Sequence, residues 1–336
     1  MTSAPLPDRL TDSSEWLVQA VDPHARLARL VRLAEESFRE ASFLDDRLLA
    51  QKPETRLCNL DELLAASKDV PDPPAGWIFH IGHVGSTLVS RLLGELGALS
   101  LREPRSLRDL AEASEAERPM LAQAVSRMMA RRGEYPAANV KATSFVSEYC
   151  SLLIEPGASA LFLYASPANY IAGILAGENS TRELATLHEM RVGRLKRRGI
   201  ALHDFEADNA HRAALAWVCE MTSLEASADA MPDRRILWAD FDRMLEDMAG
   251  WMGRCAEHFS LAASPERIAE IASGPLMRRY SKAMEYDYSP SLRAELLGEA
   301  TGLNLVEIGA AMAALREAAK SAPLLDRALR RADGEI

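Results

Sequence analysis

The chain has 336 residues, enough for one large domain or a core with a smaller appendage at about 100 to 200 residues per domain. Hydrophobic residues make up 48% and charged residues 26%, which supplies a substantial core and excludes disorder. The formal net charge of −10 argues against a general nucleic-acid binder, and only six of the 39 basic residues are lysines: Lys52, Lys68, Lys141, Lys196, Lys282 and Lys320.

Residues 24–51 read as an amphipathic helix, with Leu27, Leu30, Leu33, Ala34 and Phe38 at three- and four-residue steps. Asp22 is placed to cap it, with Pro23 at the first helical position. The proline-rich stretch Asp69–Gly76 then marks a boundary, so the expected organisation is a helical N-terminal extension over 1–75 and an α/β domain over 76–336. The run Trp77-Ile78-Phe79-His80-Ile81 has strand length, and helical periodicity begins at Ser86 with Leu88, Leu92, Leu93 and Leu96. Further short strands are predicted at 139–141, 160–164 and 235–239, with long helices at 208–229 and 304–321. Strands separated by helices predict a parallel sheet with crossovers, hence an α/β fold, helix-rich and flanked by helices on its sheet.

Several chemistries find no support. Cys58, Cys150, Cys219 and Cys255 are far apart with no CxxC, which predicts four reduced thiols. The histidines (His24, His80, His83, His188, His203, His211 and His258) form no HExxH pair, no GxSxG elbow occurs, and no metal site is expected. No apolar run approaches the roughly 18 residues of a membrane span. The N-terminus has no apolar signal core, so the expected location is the cytoplasm.

The first parallel strand runs into Gly82-His83-Val84-Gly85-Ser86-Thr87. Two glycines permit a tight turn that gathers backbone N–H groups, and the following helix adds unpaired amides and the positive end of its dipole. Such a junction is a phosphate or sulfate cradle in outline; the plain alternative is a glycine turn with Ser86 as helix cap. It is not a Walker A motif, because Ser86 stands where the lysine belongs. Asp240, after the strand at 235–239, either caps the next helix or stands in for a magnesium-binding acid of a phosphotransferase.

Taken with these features, Phe79–Leu93, Leu101–Leu110, Arg234–Asp247 and Pro275–Pro290 resemble, in order, segments of the P-loop sulfotransferases, in particular the bacterial branch. The resemblance implies a P-loop-type sheet and transfer of a sulfuryl group from PAPS to a hydroxyl or amine of a small-molecule, lipid or peptide acceptor, without a metal. It implies that Gly82, His83, Gly85, Ser86 and Thr87 hold the 5′ end of PAPS. Lys141 resembles the family's strand-end lysine, which binds the bridging oxygen, but Lys141-Ala142-Thr143 lacks the usual histidine. Glu103 is then the candidate base, a surface ion pair with Arg102, Arg105 or Arg108 being the alternative, and His83 is a second base candidate or a loop cation.

The chain departs from the family at the 3′-phosphate clamp. Ala165 and Gly173 stand where arginine and serine are usual, leaving Ser166 nearby. Replacement candidates are Arg278, Arg279, Ser281 and Lys282, or Arg182 and the Arg191–Arg198 cluster. The competing expectation is a non-catalytic nucleotide-binding or interaction protein that has lost PAPS recognition. Phe145, Tyr149, Trp217 and Met221 are candidates for the acceptor pocket or for plain core packing.

Overall fold

A computed structural model describes residues 3–202, 205 and 208–336; His203 lies outside the described residues. The chain begins with three strands, β1 (Trp16–Asp22), β2 (Leu27–Arg32) and β3 (Thr55–Asn59), with helices α1 (Glu35–Glu40) and α2 (Leu60–Ala66). Next come β4 (Gly76–His80), α3 (Ser86–Glu95), β5 (Leu99–Arg102), α4 (Arg105–Asp109), α5 (Arg118–Ala130) and β6 (Ala138–Lys141). They are followed by α6 (Cys150–Leu153), β7 (Ser159–Tyr164), α7 (Pro167–Leu175), α8 (Glu178–Arg197), α9 (Asn209–Asp229) and β8 (Arg235–Asp240). The remaining elements are helices: α10 (Phe241–Glu246), α11 (Met248–His258), α12 (Pro265–Ala272), α13 (Pro290–Leu303), α14 (Leu305–Ala319) and α15 (Pro323–Asp333).

The fold is α/β, as the strand and helix pattern predicts. Five parallel strands lie in the order β5-β6-β4-β7-β8, so β4 is central and its carboxyl end opens between β6 and β7. In such sheets the crevice beyond the strand ends receives ligands. The central strands β4 and β7 are buried on both faces, which explains why they read as continuous apolar runs rather than alternating ones. Trp77, Phe79, Phe162 and Trp238 pack in succession across the sheet, with ring centroids 5.5, 6.0 and 5.0 Å apart. The Trp77–Phe79 pair is stacked and the other two meet edge to face, and contacts of both kinds add about 0.5–1.5 kcal/mol each beyond burial.

The N-terminal region corrects the helix expected over 24–51. Residues 27–32 form a strand between β1 and β3 in an antiparallel sheet, and α1 covers only 35–40. Asp22 does not cap a helix: its Oδ1 accepts from the Ala25 amide at 2.8 Å in the β1–β2 turn, where Arg26 adopts φ 53°. Leucines three residues apart satisfy a helix within one segment, but partners on both sides bury Ala28, Leu30 and Val31 as a strand. This sheet packs into the same apolar core as the parallel sheet. At the β1 irregularity beside Gln19, the Val18 carbonyl accepts from Ser106 Oγ at 2.8 Å, and the Val21 amide donates to Asp109 at 2.9 Å. Among the described residues, no helix is long and apolar enough to cross a membrane.

Candidate functional site

Beyond the end of β4 the backbone turns through three left-handed residues, Gly82 (φ 86°), His83 (φ 55°) and Gly85 (φ 62°). Gly85 is the N-cap of α3, and no side chain caps that helix. The first-turn amides of α3 therefore remain available, where the helix dipole favours an anion. This answers the Ser86 alternative: the serine is the first helical residue, not the cap. Gly85 is constrained twice, since a Cβ there would lie 1.9 Å from the Phe241 ring.

His80 holds the turn from beneath. It is buried, its Nδ1 accepts from the Gly82 amide at 3.0 Å, and its Nε2 lies 2.9 Å from the Ala142 carbonyl. With Nδ1 accepting, Nε2 carries the single proton and the ring is neutral. Burial, reinforced by the nearby Lys141, pushes its pKa well below the ordinary histidine value.

The turn opens into a cavity of about 650 Å³, within the roughly 300–1,000 Å³ usual for small-ligand sites. Of the residues expected at the site, Gly82, His83, Gly85, Ser86, Thr87, Glu103, Arg279, Ser281 and Lys282 line it. Lys141, Ser166 and Arg278 do not. Ser166 is the N-cap of α7 and accepts from the Asn169 amide at 3.3 Å. Arg278 sits in a 3-10 turn beside the cavity, its carbonyl taking the Tyr288 amide at 3.1 Å.

Glu103 and Lys141 end adjacent parallel strands and meet there. The Glu103 amide donates to the Lys141 carbonyl at 2.8 Å, and Lys141 Nζ donates to Glu103 Oε1. Glu103 adopts φ 51° at this point, a left-handed conformation held by the pairing. Lys141 is fully buried, and that burial lowers its pKa against the opposing pull of Glu103. The carboxylate faces the cavity and the ammonium supports it from below. The arginines expected as its alternative partners are engaged elsewhere: Arg102 on carbonyls of residues 38–41, Arg105 on Asp46 and Asp109, Arg108 on Asp45.

The polar lining carries unmet demand. Thr87 Oγ1 and Thr143 Oγ1 are buried in the cavity wall without a hydrogen-bond partner among the described residues. Such orphaned hydroxyls cost about 1–3 kcal/mol unless a ligand or water meets them. Lys282 has no ion-pair partner among the described residues, whereas Arg279 pairs with Asp287 at 2.8 Å. His83 points to α8, with Nδ1 3.5 Å from Ser180 Oγ and Nε2 3.7 Å from Glu183. Of the other cationic candidates, Arg182 pairs with Glu178, Arg194 with Glu148 and Glu220, Arg197 and Arg198 with Glu148, and Arg191 lies 3.4 Å from Glu183, whereas Arg278 and Lys196 have no ion pair among the described residues.

At the clamp positions, Ala165 is fully buried with its carbonyl accepting from Trp217 Nε1 at 2.9 Å, while Gly173 lines the cavity. Trp217 and Met221 are therefore core, Tyr149 lies under Arg118 at 5.2 Å, and only Phe145 of that set lines the cavity. Asp240 caps α10 through the Asp242 and Arg243 amides at 2.9 and 3.4 Å and does not line the cavity. Sequence reasoning missed His80, Thr143, Phe241 and Arg293. Only His80 carried a local signal, as a histidine ending an apolar strand.

No protein-family model and no curated protein matches the chain. Among solved structures it is similar to a sulfotransferase domain from the curacin biosynthetic pathway, at 10% identity and TM-score 0.41, over 68% of this chain and 90% of that one. It is similar to a sulfotransferase domain of the Synechococcus PCC 7002 olefin synthase at 14% identity and TM-score 0.40, over 67% and 87%. It is also similar to a sulfotransferase from Mycobacterium avium at 12% and 0.40, over 71% and 79%.

Proposed function

We propose that the chain is a sulfotransferase that moves a sulfuryl group from PAPS to a hydroxyl or amine of a small-molecule, lipid or peptide acceptor. The observation that carries this reading is the left-handed turn of Gly82, His83 and Gly85 over an uncapped helix, with Thr87 Oγ1 buried and unpartnered beside it. These groups suit a tetrahedral anion, and the Lys282 charge lines the same cavity. PAPS, when bound, supplies the sulfuryl group and a phosphate that leaves.

The loop amides and Thr87 would hold the 5′ end of the donor in line with the acceptor. Glu103, at the cavity wall, is placed to take the acceptor proton as the new S–O or S–N bond forms and the S–O bond to the leaving phosphate breaks. Lys141 holds that carboxylate in place from the neighbouring strand end. Titration with PAP, the desulfated product, should show saturable binding, and labelled PAPS should label an acceptor. Glu103→Gln should lower turnover by about 10²- to 10⁴-fold while leaving PAP affinity near wild type. No PAP binding up to millimolar concentration would overturn the reading.

A second reading is favoured by the core-filled Ala165 position and the open Gly173: a nucleotide-binding or interaction protein that no longer recognises PAPS. Detection of sulfonated product with purified protein decides between the two.

A further inference from the structure

Lys282 sits on a segment, residues 275–289, with little regular structure. Its internal ties are one 3-10 turn, the Arg279–Asp287 bridge and a few turn hydrogen bonds. The stretch that faces the cavity, 279–282, receives hydrogen bonds from elsewhere at one atom, the Ser281 carbonyl, among the described residues. Arg91 Nε donates to it at 3.0 Å, and Ser42 Oγ lies 3.5 Å from it.

Arg91 belongs to α3, the helix whose N-terminus forms the anion turn. Its other donors go to the Arg39 carbonyl at 2.9 Å, the Glu40 carbonyl at 2.9 Å and Ser42 Oγ at 3.0 Å. The side chain is buried, with 8% of its surface exposed, and makes no ion pair with a carboxylate among the described residues. A buried guanidinium without an acid is costly and would be replaced by an apolar side chain if packing were its only task. Here one planar fork joins three stretches distant in sequence: 39–42, α3 and 281. A lysine ammonium has neither the reach nor the fixed directions to do so.

We propose that Arg91 is a positioning residue: through the Ser281 carbonyl it fixes the 279–282 stretch against α3 and so aims the Lys282 ammonium into the anion cavity. The inference rests on the anion-binding reading of that cavity. Anion turn and cation are thereby referenced to the same helix, which keeps their spacing constant although 196 residues of sequence separate Ser86 from Lys282.

The test is a double-mutant cycle on PAP affinity, with limited proteolysis of the nucleotide-free full chain alongside. Lys282→Ala should weaken PAP about tenfold or more, as loss of a charge-assisted hydrogen bond does. Arg91→Lys should weaken it similarly, and the double variant should be little worse than either, because a misplaced Lys282 has nothing further to lose. Ser42→Ala, a milder change, should give a smaller loss in the same direction. Trypsin should cut after Arg279 and Lys282 several-fold faster in Arg91→Lys. Additive losses in the cycle, or Arg91→Lys leaving PAP affinity and cleavage unchanged, would overturn the proposal. If the wild-type chain binds no PAP, the sulfotransferase reading fails; the cleavage rates still decide whether Arg91 holds the segment.

Discussion

At the scale of single residues, Gly85 shows how one atom can be forbidden for two reasons. Its φ of 62° disfavours any side chain by about 1–2 kcal/mol, and the Phe241 ring leaves no room for a methyl group. Overpacking of this sort costs typically about 1–3 kcal/mol. Gly85→Ala should therefore lower unfolding stability by about 2–5 kcal/mol and abolish anion binding. Placed in a Phe241→Ala background, the same change should cost only the backbone part. Equal denaturation midpoints for Gly85→Ala and wild type would sink this account, as would an undiminished cost in the double variant. Phe241 is itself pinned, with Arg293 5.3 Å from its ring and bonded to Asp242 at 2.9 Å. That Gly85 is a glycine was legible in the sequence. Its neighbour is 156 positions away and was not.

At the scale of elements, His80 joins the end of β4 to the turn and to the residue after β6. Its folded pKa lies well below the ordinary 6.5, so an unfolded chain takes up a proton there that the folded chain refuses. Stability is then level above pH ~6.5 and falls as pH drops below it, by up to about 1.4 kcal/mol per pH unit from this group. His258, also depressed by burial, adds a contribution of the same sign. His80→Gln should remove about one proton from the pH dependence measured by denaturant unfolding between pH 5 and 8. An unchanged slope would show that His80 is not held neutral.

The elements themselves were unequally readable. β4 and β7 are buried on both faces and their apolar runs point to one structure, while β8, half-buried at the sheet edge, keeps an apolar run of its own. The long helices α9 and α14 were equally plain. β5, Leu99–Arg102, was missed because it is four residues long and mixes polar with apolar side chains, all of them buried. Its Arg102 is buried against backbone carbonyls, and burial lowers its pKa to about 9. The N-terminal strands were misread because leucine spacing in a short window serves either period, and only pairing decides.

For the whole molecule, the seam between the N-terminal sheet and the parallel sheet is polar as well as apolar. Arg131, buried at the end of α5, donates to the carbonyls of Leu10 at 2.6 Å, Ser13 at 3.1 Å and Trp16 at 2.7 Å. Ser106 and Asp109 bond the β1 backbone on the other side. A fragment spanning 76–336 would expose these groups together with the core surface beneath β1, so it should not fold cooperatively. A cooperative melt of that fragment near the full chain's temperature would instead mark the first 75 residues as a separable unit. Arg131→Met in the full chain should cost several kcal/mol, since each orphaned buried carbonyl forfeits roughly 1–3.

The α/β class, the strand that leads into the glycine turn and most of the loop around it follow from the amino-acid sequence. These are local properties: burial on two faces, glycine where φ is positive, a helix following directly. Only long-range packing places Lys141 beneath Glu103 rather than in the cavity, buries Ala165 in the core, and sets the Ser281 carbonyl on Arg91 of α3. Each depends on side chains brought together from distant segments, and no local pattern encodes which distant partner a buried charge will find.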